Sequence, residues 1–408
     1  MSFQQGLSGL NAASKNLEVI GNNVSNASTV GFKQSRAEFA DVYAASLTGT
    51  GSSQIGIGTK ISNVAQQFTQ GNITSTNNSL DIAINGGGFF RMSNNGSITY
   101  SRNGQFQMDK LGYIVDSENK RLTGFVANST GVLATGAPAE ININTADLTP
   151  VSSSKVTGLF NLDSTKATLP AAGFNPNDPL TYHNSTAISV YDSLGNSHTL
   201  QNFFVKTAPG TWNVFTTVDG TSTTVLPTPT ATMTFTGTGV TPTMSPAVPT
   251  LSFTPTTGAT GPQTVTLDFS GSTQFGSAFS VNSLSQDGYT SGHLAGFNIG
   301  KDGKIVGRYT NGQSATLGQV VLANFSNPNG LQQLGGNSWS ESSTSGAALV
   351  STPSSGSLGV LQSSAVEDSN VDLTAELVNM ITAQRVYQAN AQTIKTQDQL
   401  LQTLVNLR

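Results

Sequence analysis

The chain has 408 residues, which is enough for two or three domains, and only 10% of them are charged. With 43 glycines and no cysteine, the composition is typical of a β-rich secreted or surface protein and not of a metabolic enzyme. The formal net charge is −4 and there is no basic cluster, which argues against a nucleic-acid partner. A chain without cysteine has no disulfides, thiol nucleophiles or thiolate metal ligands.

The start of the sequence lacks the features of a secretory signal. Residues 1–9 are too polar for the apolar region of such a signal, and the first basic residue is Lys15. No apolar run in the sequence is long enough to cross a bilayer, so no membrane insertion is expected. If the protein leaves the cell, we expect export without a cleaved signal peptide.

Residues 1–24 are predicted to form a helix with one apolar stripe. Its large apolar residues follow steps of four and three, as in the seam of a coiled coil: Phe3, Leu7, Leu10, Leu17 and Val24. Gly6, Gly9 and Gly21 each cost about 1 kcal/mol relative to alanine. The helix is therefore expected to need a partner.

Residues 25–70 are predicted to form a long extended connector, because a polar, turn-prone start is followed by a mixed pattern with a glycine-rich piece. After it, residues 71–145 contain short strand-like runs separated by turn residues, which indicates a first β-rich segment. Within that segment, Gly86–Gly88 predicts a tight hairpin turn before Phe89 and Phe90.

Residues 146–285 are predicted to form a separate all-β domain. Apolar and polar residues alternate clearly between 186 and 220, with turns at 193–196 and 209–210. The stretch from 221 to 262 is rich in Thr and Pro and is interpreted as loops within this domain, because alternation resumes immediately after it. Residues 286–364 return to glycine-punctuated strands, which indicates the second part of the first β-rich domain.

Residues 365–408 are predicted to form a second, longer helix, because no glycine follows Gly359 and no proline follows Pro353. A capping box from Ser369 to Asp372 would begin this helix near Asn370. Steps of four and three recur in its large residues: Leu373, Leu377, Met380, Tyr387, Ile394, Leu401 and Val405. Taken alone, such a helix would simply pack on the core of its own domain. Its uncharged outer face instead favours enclosure on several sides, with the N-terminal helix as the expected partner.

These segments predict a multidomain α+β protein with paired N- and C-terminal coiled-coil helices. A discontinuous β-rich domain would hold an inserted all-β outer domain of barrel or sandwich type. The predicted domains are the N-terminal helix 1–24, the connector 25–70, the discontinuous β domain 71–145 and 286–364, the inserted domain 146–285, and the C-terminal helix 365–408. Terminal apolar helices around a β-rich middle are the pattern of a subunit that polymerises through its ends.

The sequence predicts no catalytic residues, metal site or cofactor. His183, His198 and His293 lie in unrelated contexts without metal-ligand spacing and are interpreted as solvated or packed residues. A two-carboxylate glycosidase site stays open on sequence grounds, because any pair of acidic residues could converge in the fold. The candidates are Asp192, Asp219 and Asp268, for which turn or edge roles are the simpler interpretation.

Several stretches resemble the axial proteins of the bacterial flagellum, the rod and hook family. The matching stretches are NNVSNASTVGFK at 22–33, LDIAINGGGFF at 80–90, SRNGQFQMDKLGYIVD at 101–116, and the whole C-terminal segment from 369 to 408. Residues 287–313 and 317–331 are similar to the hook members of that family in particular. The resemblance covers both ends and the discontinuous β domain, whereas 146–285 contributes little to it.

The resemblance implies a structural subunit of the flagellar hook. Such subunits pair their terminal helices in an inner coiled-coil tube around an export channel, and the curved tube acts as a universal joint between rod and filament. The implied partners are further copies of the chain, the hook cap protein, the distal rod protein, the hook–filament junction protein and the flagellar type III export apparatus. The implied location is the extracellular part of the flagellum.

Residues 39–43 resemble the aromatic export-gate motif of such substrates, with Phe39 and Tyr43 as its aromatic positions. A buried aromatic contact within the connector is an equally good interpretation of those five residues. The connector is also expected to absorb the changes in subunit spacing that accompany bending of the tube. Two other classes stay open: a distal rod-type axial protein and, more distantly, an extracellular β-rich adhesin.

Overall fold

The structure is a computed structural model, and it describes residues 2–42, 56–128, 131–224, 226 and 228–406. The chain divides into two compact units. The first unit contains residues 1–145, 296–308 and 314–408, and the second unit contains residues 146–295 and 309–313. Among the described residues, no helix is both long and apolar enough to span a membrane.

The elements are numbered in chain order. From the start to residue 145 they are α1 (Ser2–Ser25), β1 (Ser35–Val42), β2 (Gly58–Gln66), β3 (Ile73–Ser75), β4 (Ile82–Asn85), β5 (Phe89–Asn94), β6 (Ser97–Ser101), β7 (Gln107–Met108), β8 (Ile114–Val115), β9 (Arg121–Val126) and β10 (Ala139–Glu140). The next strands are β11 (Lys155–Asp163), β12 (Asn184–Tyr191), β13 (Ser197–Ala208), β14 (Thr211–Val218), β15 (Thr221–Ser222), β16 (Ala231–Thr234), β17 (Thr243–Ser245), β18 (Thr250–Phe253), β19 (Gln263–Asp268), β20 (Thr273–Phe275) and β21 (Ser280–Gln286). The remainder are β22 (Leu294–Ile299), β23 (Lys304–Tyr309), β24 (Ser314–Val320), β25 (Leu322–Asn324), β26 (Gln332–Gly335), β27 (Ser338–Ser340), β28 (Leu349–Ser351), β29 (Val360–Ser363), β30 (Ala365–Glu367) and α2 (Leu373–Asn406). Short 3₁₀ turns lie at Ala171–Gly173, Pro179–Thr181 and Pro328–Gly330.

A large sheet of the first unit joins strands that are far apart in the sequence. Its main path runs β22-β23-β24-β9-β5-β6-β27-β26. An aromatic cluster fills its core, with Phe89, Tyr100, Phe325 and Trp339 buried and Phe68 packed against them. Two smaller ladders, β3 with β30 and β4 with β29, pair strands before residue 86 with strands after residue 359. The domain is therefore completed only when the C-terminal part of the chain has returned.

Two sheets of the second unit share one apolar core. One sheet has the order β12-β13-β14-β16-β17, and the other has the order β18-β19-β11-β20 with β21 beside β11. Residues aligned across the first sheet, such as Ile188, Leu200 and Val218, face the same side because side chains alternate along each strand. They meet Val156, Phe160, Leu267 and Phe269 of the other sheet in one cluster.

The predicted connector folds back on itself. Strands β1 and β2 form an antiparallel ribbon with a bulge between Glu38 and Phe39, so the segment is not simply extended. Ala65 is buried, and the backbone N–H of Thr59 donates to the hydroxyl of Ser8 on α1. We call this element the ribbon. Sequence analysis missed it because its alternation is weak and its pairing partner lies beyond a glycine-rich stretch.

The hairpin predicted at Gly86–Gly88 is wrong. Strand β4 pairs with β29, whereas β5 pairs with β6, β9 and β25, so the glycines carry the chain from one sheet to another. Gly86 has a φ of +116°, and a Cβ there would lie 2.9 Å from the Cα of Gly359. The glycine is required by this close backbone approach.

Two predicted boundaries also differ from the structure. Helix α2 begins at Leu373, because residues 365–367 form strand β30 against β3. The compact second unit continues to Ala295, ten residues beyond the boundary predicted at 285. The returning segment stays with that unit through backbone bridges from Tyr289 to Val151 and from Gly292 to Leu148.

Candidate functional site

The two terminal helices lie antiparallel against each other in the first unit. A Cβ placed on Gly6 would lie 3.1 Å from the Cγ1 of Ile394, in the C-terminal half of α2. At the opposite end, the side-chain amide of Asn23 donates to a carboxylate oxygen of Glu376 at 3.0 Å. Helix α2 therefore continues for twelve residues beyond the level of Gly6, about 18 Å at 1.5 Å per residue.

Small residues make part of the contact between the helices, beside Ile20 and Glu376. Gly6, Ala13 and Ile20 recur at steps of seven on α1 and are buried. Glu376 and Ala383 are the corresponding buried residues on α2, at the same step of seven. Glycine and alanine at these positions let the two backbones approach closely. Two of the glycines that make α1 weak in isolation, Gly6 and Gly9, fit it to Ile394 and Asn390 of α2.

Apart from Ile394, the apolar stripe predicted as the coiled-coil seam does not make this contact. Its members on α1 and α2 are displaced by about one residue from the buried positions, and many are exposed. Leu7 and Leu377 are each 44% exposed, and Leu401 is 55% exposed. Phe3, Leu373 and Tyr387 are also exposed, whereas Leu10, Leu17, Val24, Met380 and Ile394 are half-buried. The side chain of Val405 lies outside the described residues. We call this set, without Ile394 and Val405, the outer stripe.

The outer stripe lies on one side of the helix pair. On both helices the stripe residues lie about one residue C-terminal to the buried positions, which is a rotation of about 100° about the helix axis. Because the helices are antiparallel, this rotation places the stripe residues of α1 and those of α2 on the same side of the helix pair. The opposite side faces the ribbon across a groove of about 580 Å³, lined by residues such as Ala12, Asn16, Ala37 and Val386.

Phe39 lies at this groove, on strand β1, and its side chain is 41% exposed. It is aligned with Ile61 across the ribbon, and Ile61 is also exposed. Phe39 is therefore not the buried aromatic contact that was one interpretation of the 39–43 motif. Tyr43 lies outside the described residues, so the second aromatic position of the motif has no structural account.

A buried ionic cluster lies where the helix pair joins the β sheet. The carboxylate of Glu367 accepts from the Nζ of Lys33 at 2.6 Å and from the Nη1 of Arg102 at 3.0 Å. The side chains of Lys33 and Glu367 are fully buried, and that of Arg102 is 4% exposed. Burial lowers the pKa of Lys33 and of Arg102, and the attraction of Glu367 opposes this effect. We call these three residues the Glu367 cluster.

The Glu367 cluster carries no signal in the sequence. Its members are separated by 69 and 265 positions, so no local spacing brings them together. All three residues lie within or beside stretches that resemble the flagellar axial family, but that resemblance gives none of them a role. Glu367 lies in β30, Arg102 directly follows β6 and Lys33 lies between α1 and β1, so only the tertiary fold brings the three side chains to one place.

The second unit contains a hydrogen-bonded group that sequence analysis treated as separate residues. The ring of buried His198 lies 2.7 Å from a carboxylate oxygen of Asp219 and 3.3 Å from one of Asp192. Burial lowers the pKa of His198, but the hydrogen bonds to the two carboxylates outweigh it, so the pKa is raised. Burial raises the pKa of Asp192, but hydrogen bonds from Thr257, Asn196 and His198 hold it well below its usual range.

The other histidine and aspartate candidates lie in local contacts. His183 contacts the carbonyl oxygen of Ala167, and His293 contacts Asp147. Asp268 pairs with Lys155 at 3.0 Å and accepts a hydrogen bond from the hydroxyl of Ser270. Within the described ranges, no group of three or more histidine, aspartate and glutamate side chains could hold a metal ion. The carboxylates of Asp192 and Asp219 are both occupied by structural hydrogen bonds.

Comparison with known families gives four matches that together cover most of the chain. The matching family models are described as "Flagella basal body rod protein" (residues 3–33), "Flagellar hook protein FlgE/F/G D1 domain" (83–163), "Flagellar basal body protein FlaE D2 domain" (161–289) and "Flagellar basal body rod FlgEFG protein C-terminal" (362–407). The terminal matches include α1 and α2, and the D2 match lies in the second unit.

Whole-length relatives carry one name. The "Flagellar hook protein FlgE" of Salmonella typhimurium is 43% identical over 416 residues, with all of both chains covered. The protein of that name from Escherichia coli K12 is 41% identical over 412 residues, again with both chains fully covered. The one from Borreliella burgdorferi is 32% identical, with 100% of this chain and 99% of that one covered. A crystal structure of the Helicobacter pylori flagellar hook protein FlgE2 has the same fold over 72% of this chain and all of that one, at a TM-score of 0.52 and 15% identity.

Proposed function

Because the chain belongs to the flagellar hook protein family and is a structural subunit of the hook, we propose that its terminal helices form the inner tube of the polymer. Full-length agreement with hook proteins, including the central region, disfavours the distal rod-type and adhesin alternatives. Hook proteins are part of the flagellum and assemble as a polymer. The proposal concerns which residues make that polymer and what the polymer does.

The outer stripe is the observation that carries the proposal. Its leucines and aromatic residues leave a long apolar side of the helix pair uncovered, although the pair itself is well packed. Monomeric proteins rarely expose apolar surface in this continuous form unless another molecule covers it. In a polymer of identical subunits, that molecule is a neighbouring copy, so the stripe predicted from the sequence would be buried between copies and not within one.

The wider role follows from the family. We propose that the tube surrounds an export channel and serves as a universal joint that transmits torque from rod to filament. Its further partners would be the hook cap, distal rod and hook–filament junction proteins. The subunit would reach the extracellular hook through the flagellar type III apparatus without a cleaved signal, and Phe39 with Tyr43 would serve as its export-gate motif. We propose no catalytic role, metal or cofactor.

The two units would have different places in the tube. The first unit would carry both the inner helix pair and a β domain outside it, and the second unit would be the inserted outer domain. The ribbon packs on α1 in the described residues, which supports a compact inner layer and not a long loose linker. This arrangement leaves the apolar side of the helices as the continuous surface for contacts between copies.

Electron microscopy tests the proposal directly. Full-length protein is concentrated beside a variant that ends at Ser369 and so lacks α2, each seeded with hook fragments because hook growth uses a cap. Curved tubes are expected from the full chain only. A variant without α2 that polymerises as well as the full chain would contradict the helix-tube proposal, and a seeded full chain that never elongates would contradict assembly itself.

A further inference from the structure

We infer that the Glu367 cluster is the centre of a rigid joint that makes the terminal helix pair and the β sheet of the first unit move as one body. The inference rests on the proposed function, because a joint that bears load matters only in a tube that transmits torque. It names the residues that transfer load between the inner helices and the β domain outside them. It also implies that the described part of the connector does not act as a bending element.

Three backbone segments at the junction between the helices and the sheet converge on Glu367. Its backbone oxygen accepts from the N–H of Gly31, in the segment that follows α1, at 2.8 Å. Its carboxylate accepts from the N–H of Gly71, in the segment that follows the ribbon, at 2.9 Å. Glu367 itself lies in the segment that leads to α2. Glu367 therefore connects all three segments.

The cations of the cluster extend these contacts to both sides. Lys33 also donates to the carbonyl oxygen of Thr69 at 2.8 Å, so it ties the segment after α1 to the end of the ribbon. Arg102 also donates to the carbonyl oxygen of Gly86 at 2.8 Å, which ties the cluster to the loop between β4 and β5. In a buried, low-dielectric setting, loss of one member leaves uncompensated charge, so the cluster resists opening.

Further hydrogen bonds connect the same three segments. Asn370 accepts from the N–H of Gln34 at 2.7 Å and donates to the carbonyl oxygen of Gln67 at 2.8 Å. Asn23 on α1 both donates to and accepts from the backbone of Ser35, and it contacts Glu376 on α2. The start of the ribbon is thus fixed to both helices.

Aromatic packing attaches the end of the ribbon to the sheet. The ring of Phe68 lies 5.4 Å from that of Phe89 and 5.6 Å from that of Trp339, both in edge-to-face orientation. The indole N–H of Trp339 donates to the side-chain oxygen of Gln66 at 2.6 Å. Segments that open easily have few buried contacts and exposed backbone hydrogen bonds, and this junction has the opposite character.

The expectation that the connector absorbs bending therefore fails for its described part. Both roots of the ribbon are fixed, and the strands between them are paired with each other. Changes in spacing between copies must then be taken up by sliding at contacts between subunits, while the helix pair and the first sheet keep their relative orientation. A stiff joint of this kind would convert rotation of the inner tube into rotation of the outer layer with little loss.

The test uses the full chain with Glu367→Gln, which removes the negative charge between Lys33 and Arg102. Glu140→Gln is the matched control, since Glu140 also pairs with an arginine at 2.6 Å but is partly exposed and contacts β9 and Ser93 of β5, away from the joint. Hydrogen exchange of the free subunit should accelerate at least about 100-fold at the amides of Gly31 and Gly71 in Glu367→Gln, from loss of a buried ion pair. It should stay unchanged at both amides in Glu140→Gln.

The mechanical readout is the bending stiffness of assembled tubes, taken from shape fluctuations in electron micrographs. Glu367→Gln tubes should be at least twofold less stiff than wild-type tubes. Leu122→Ala, which weakens the core of the first unit without touching the joint, should leave stiffness unchanged and so separates load transfer from general stability. If Glu367→Gln does not fold, Lys33→Met tests the joint instead, because it keeps the Arg102–Glu367 pair. Faster amide exchange is then expected at residues 67–71.

The outcomes separate this inference from the proposed function. Tubes of wild-type stiffness from Glu367→Gln, together with unchanged exchange at Gly31 and Gly71, would overturn the joint and leave the hook role intact. Failure of the wild-type chain to elongate seeds would contradict the hook assembly, and the exchange measurements on the free subunit would still decide whether the joint is rigid.

Discussion

The second unit and the terminal helices solve the problem of apolar surface in opposite ways. In the second unit, two sheets bury Phe160, Phe204, Trp212 and Phe269 completely within one core. On the terminal helices, leucines such as Leu7 and Leu377 remain nearly half exposed, although each helix has a packed partner. The first arrangement is complete in a single chain, and under the proposed function the second is completed by further copies.

This difference separates folding from assembly within one sequence. A core that is closed in the free subunit can fold first and remain soluble during export or storage. Helices whose apolar side is open gain most of their stability when neighbours cover it. The low charge of the helices fits this division, because charged residues on a buried polymer contact would have to be desolvated.

Removing a side chain from the closed core should have the largest effect on stability. Phe160→Ala is expected to lower the free energy of unfolding of the second unit by about 3–5 kcal/mol, through lost burial and a residual cavity. Phe275→Ala is the control, since Phe275 is 46% exposed in the same unit. Thermal unfolding and hydrogen exchange of the full chain measure both. Equal effects of the two substitutions would mean that the second unit has no closed core.

Breaking the outer stripe should act on assembly and not on the free subunit. Leu7 and Leu377 would each lose about 1 kcal/mol of burial between copies, given their present half-exposure. The double variant Leu7→Ser and Leu377→Ser should therefore raise the critical concentration for tube formation by about 30-fold. Gln392→Ser, at an exposed position away from the stripe, serves as the control. Sedimentation of tubes checks this, and a double variant that assembles like the control would exclude the stripe from the contact.

A smaller effect should distinguish the two possible caps of α2. Asp372 accepts from the N–H groups of Thr374 and Ala375, so Asp372→Ala should destabilise the first turn by about 1 kcal/mol. Ser369 accepts only from Val371, before the helix, so Ser369→Ala should cost a few tenths of that. Amide exchange at Thr374 and Ala375 reports the difference. A larger effect of Ser369→Ala than of Asp372→Ala would mean that Ser369 is the N-cap, as the sequence predicts.

The smallest expected effect is a pH dependence confined to the second unit. The pKa of His198 is raised in the folded state, so its stabilising contribution is fully present below its unfolded pKa of about 6.5 and is lost as pH rises through the folded value. The lowered pKa values of Asp192 and Asp219 act only in acid, where their contributions are lost as pH falls.

His198→Gln tests this sign. The stability difference between wild type and His198→Gln should shrink as pH rises from 6 to 9, because only the wild type loses an ionic contribution over that range. Unfolding of the second unit is followed by the exchange of its own amides in the full chain. A difference that grows with pH, or that does not change, would mean that His198 is not charged between the two carboxylates.

Local signals in the sequence predicted the regions where structure is decided locally. Alternation over 186–220 and the turns at 193–196 and 209–210 correspond to β12, β13 and β14. Both terminal helices were predicted from uninterrupted helical spacing. The axial family was recognised from short stretches at both ends and in the discontinuous β domain, and the hook members in particular from 287–313 and 317–331; the full-length relatives confirm the hook family.

Long-range contacts could not be predicted in the same way. The true contact between α1 and α2 uses Gly6, Ala13 and Ala383, and small residues give no hydrophobic signal. The larger residues beside them give a clear stripe, of which Ile394 makes this contact while residues such as Leu7 and Leu377 remain exposed. The Glu367 cluster depends on strands that pair across nearly 300 residues, and the ribbon depends on pairing across a glycine-rich stretch.

The central claim is that one region is complete in the free subunit and the other is completed by neighbours. Hydrogen exchange measured on the free full-length subunit and on seeded tubes compares both regions in one experiment. We expect the core amides of the second unit to be equally protected in both states, and the amides of α1 and α2 to become strongly protected only in tubes. Terminal helices that are already fully protected in the free subunit, and no more so in tubes, would contradict the account.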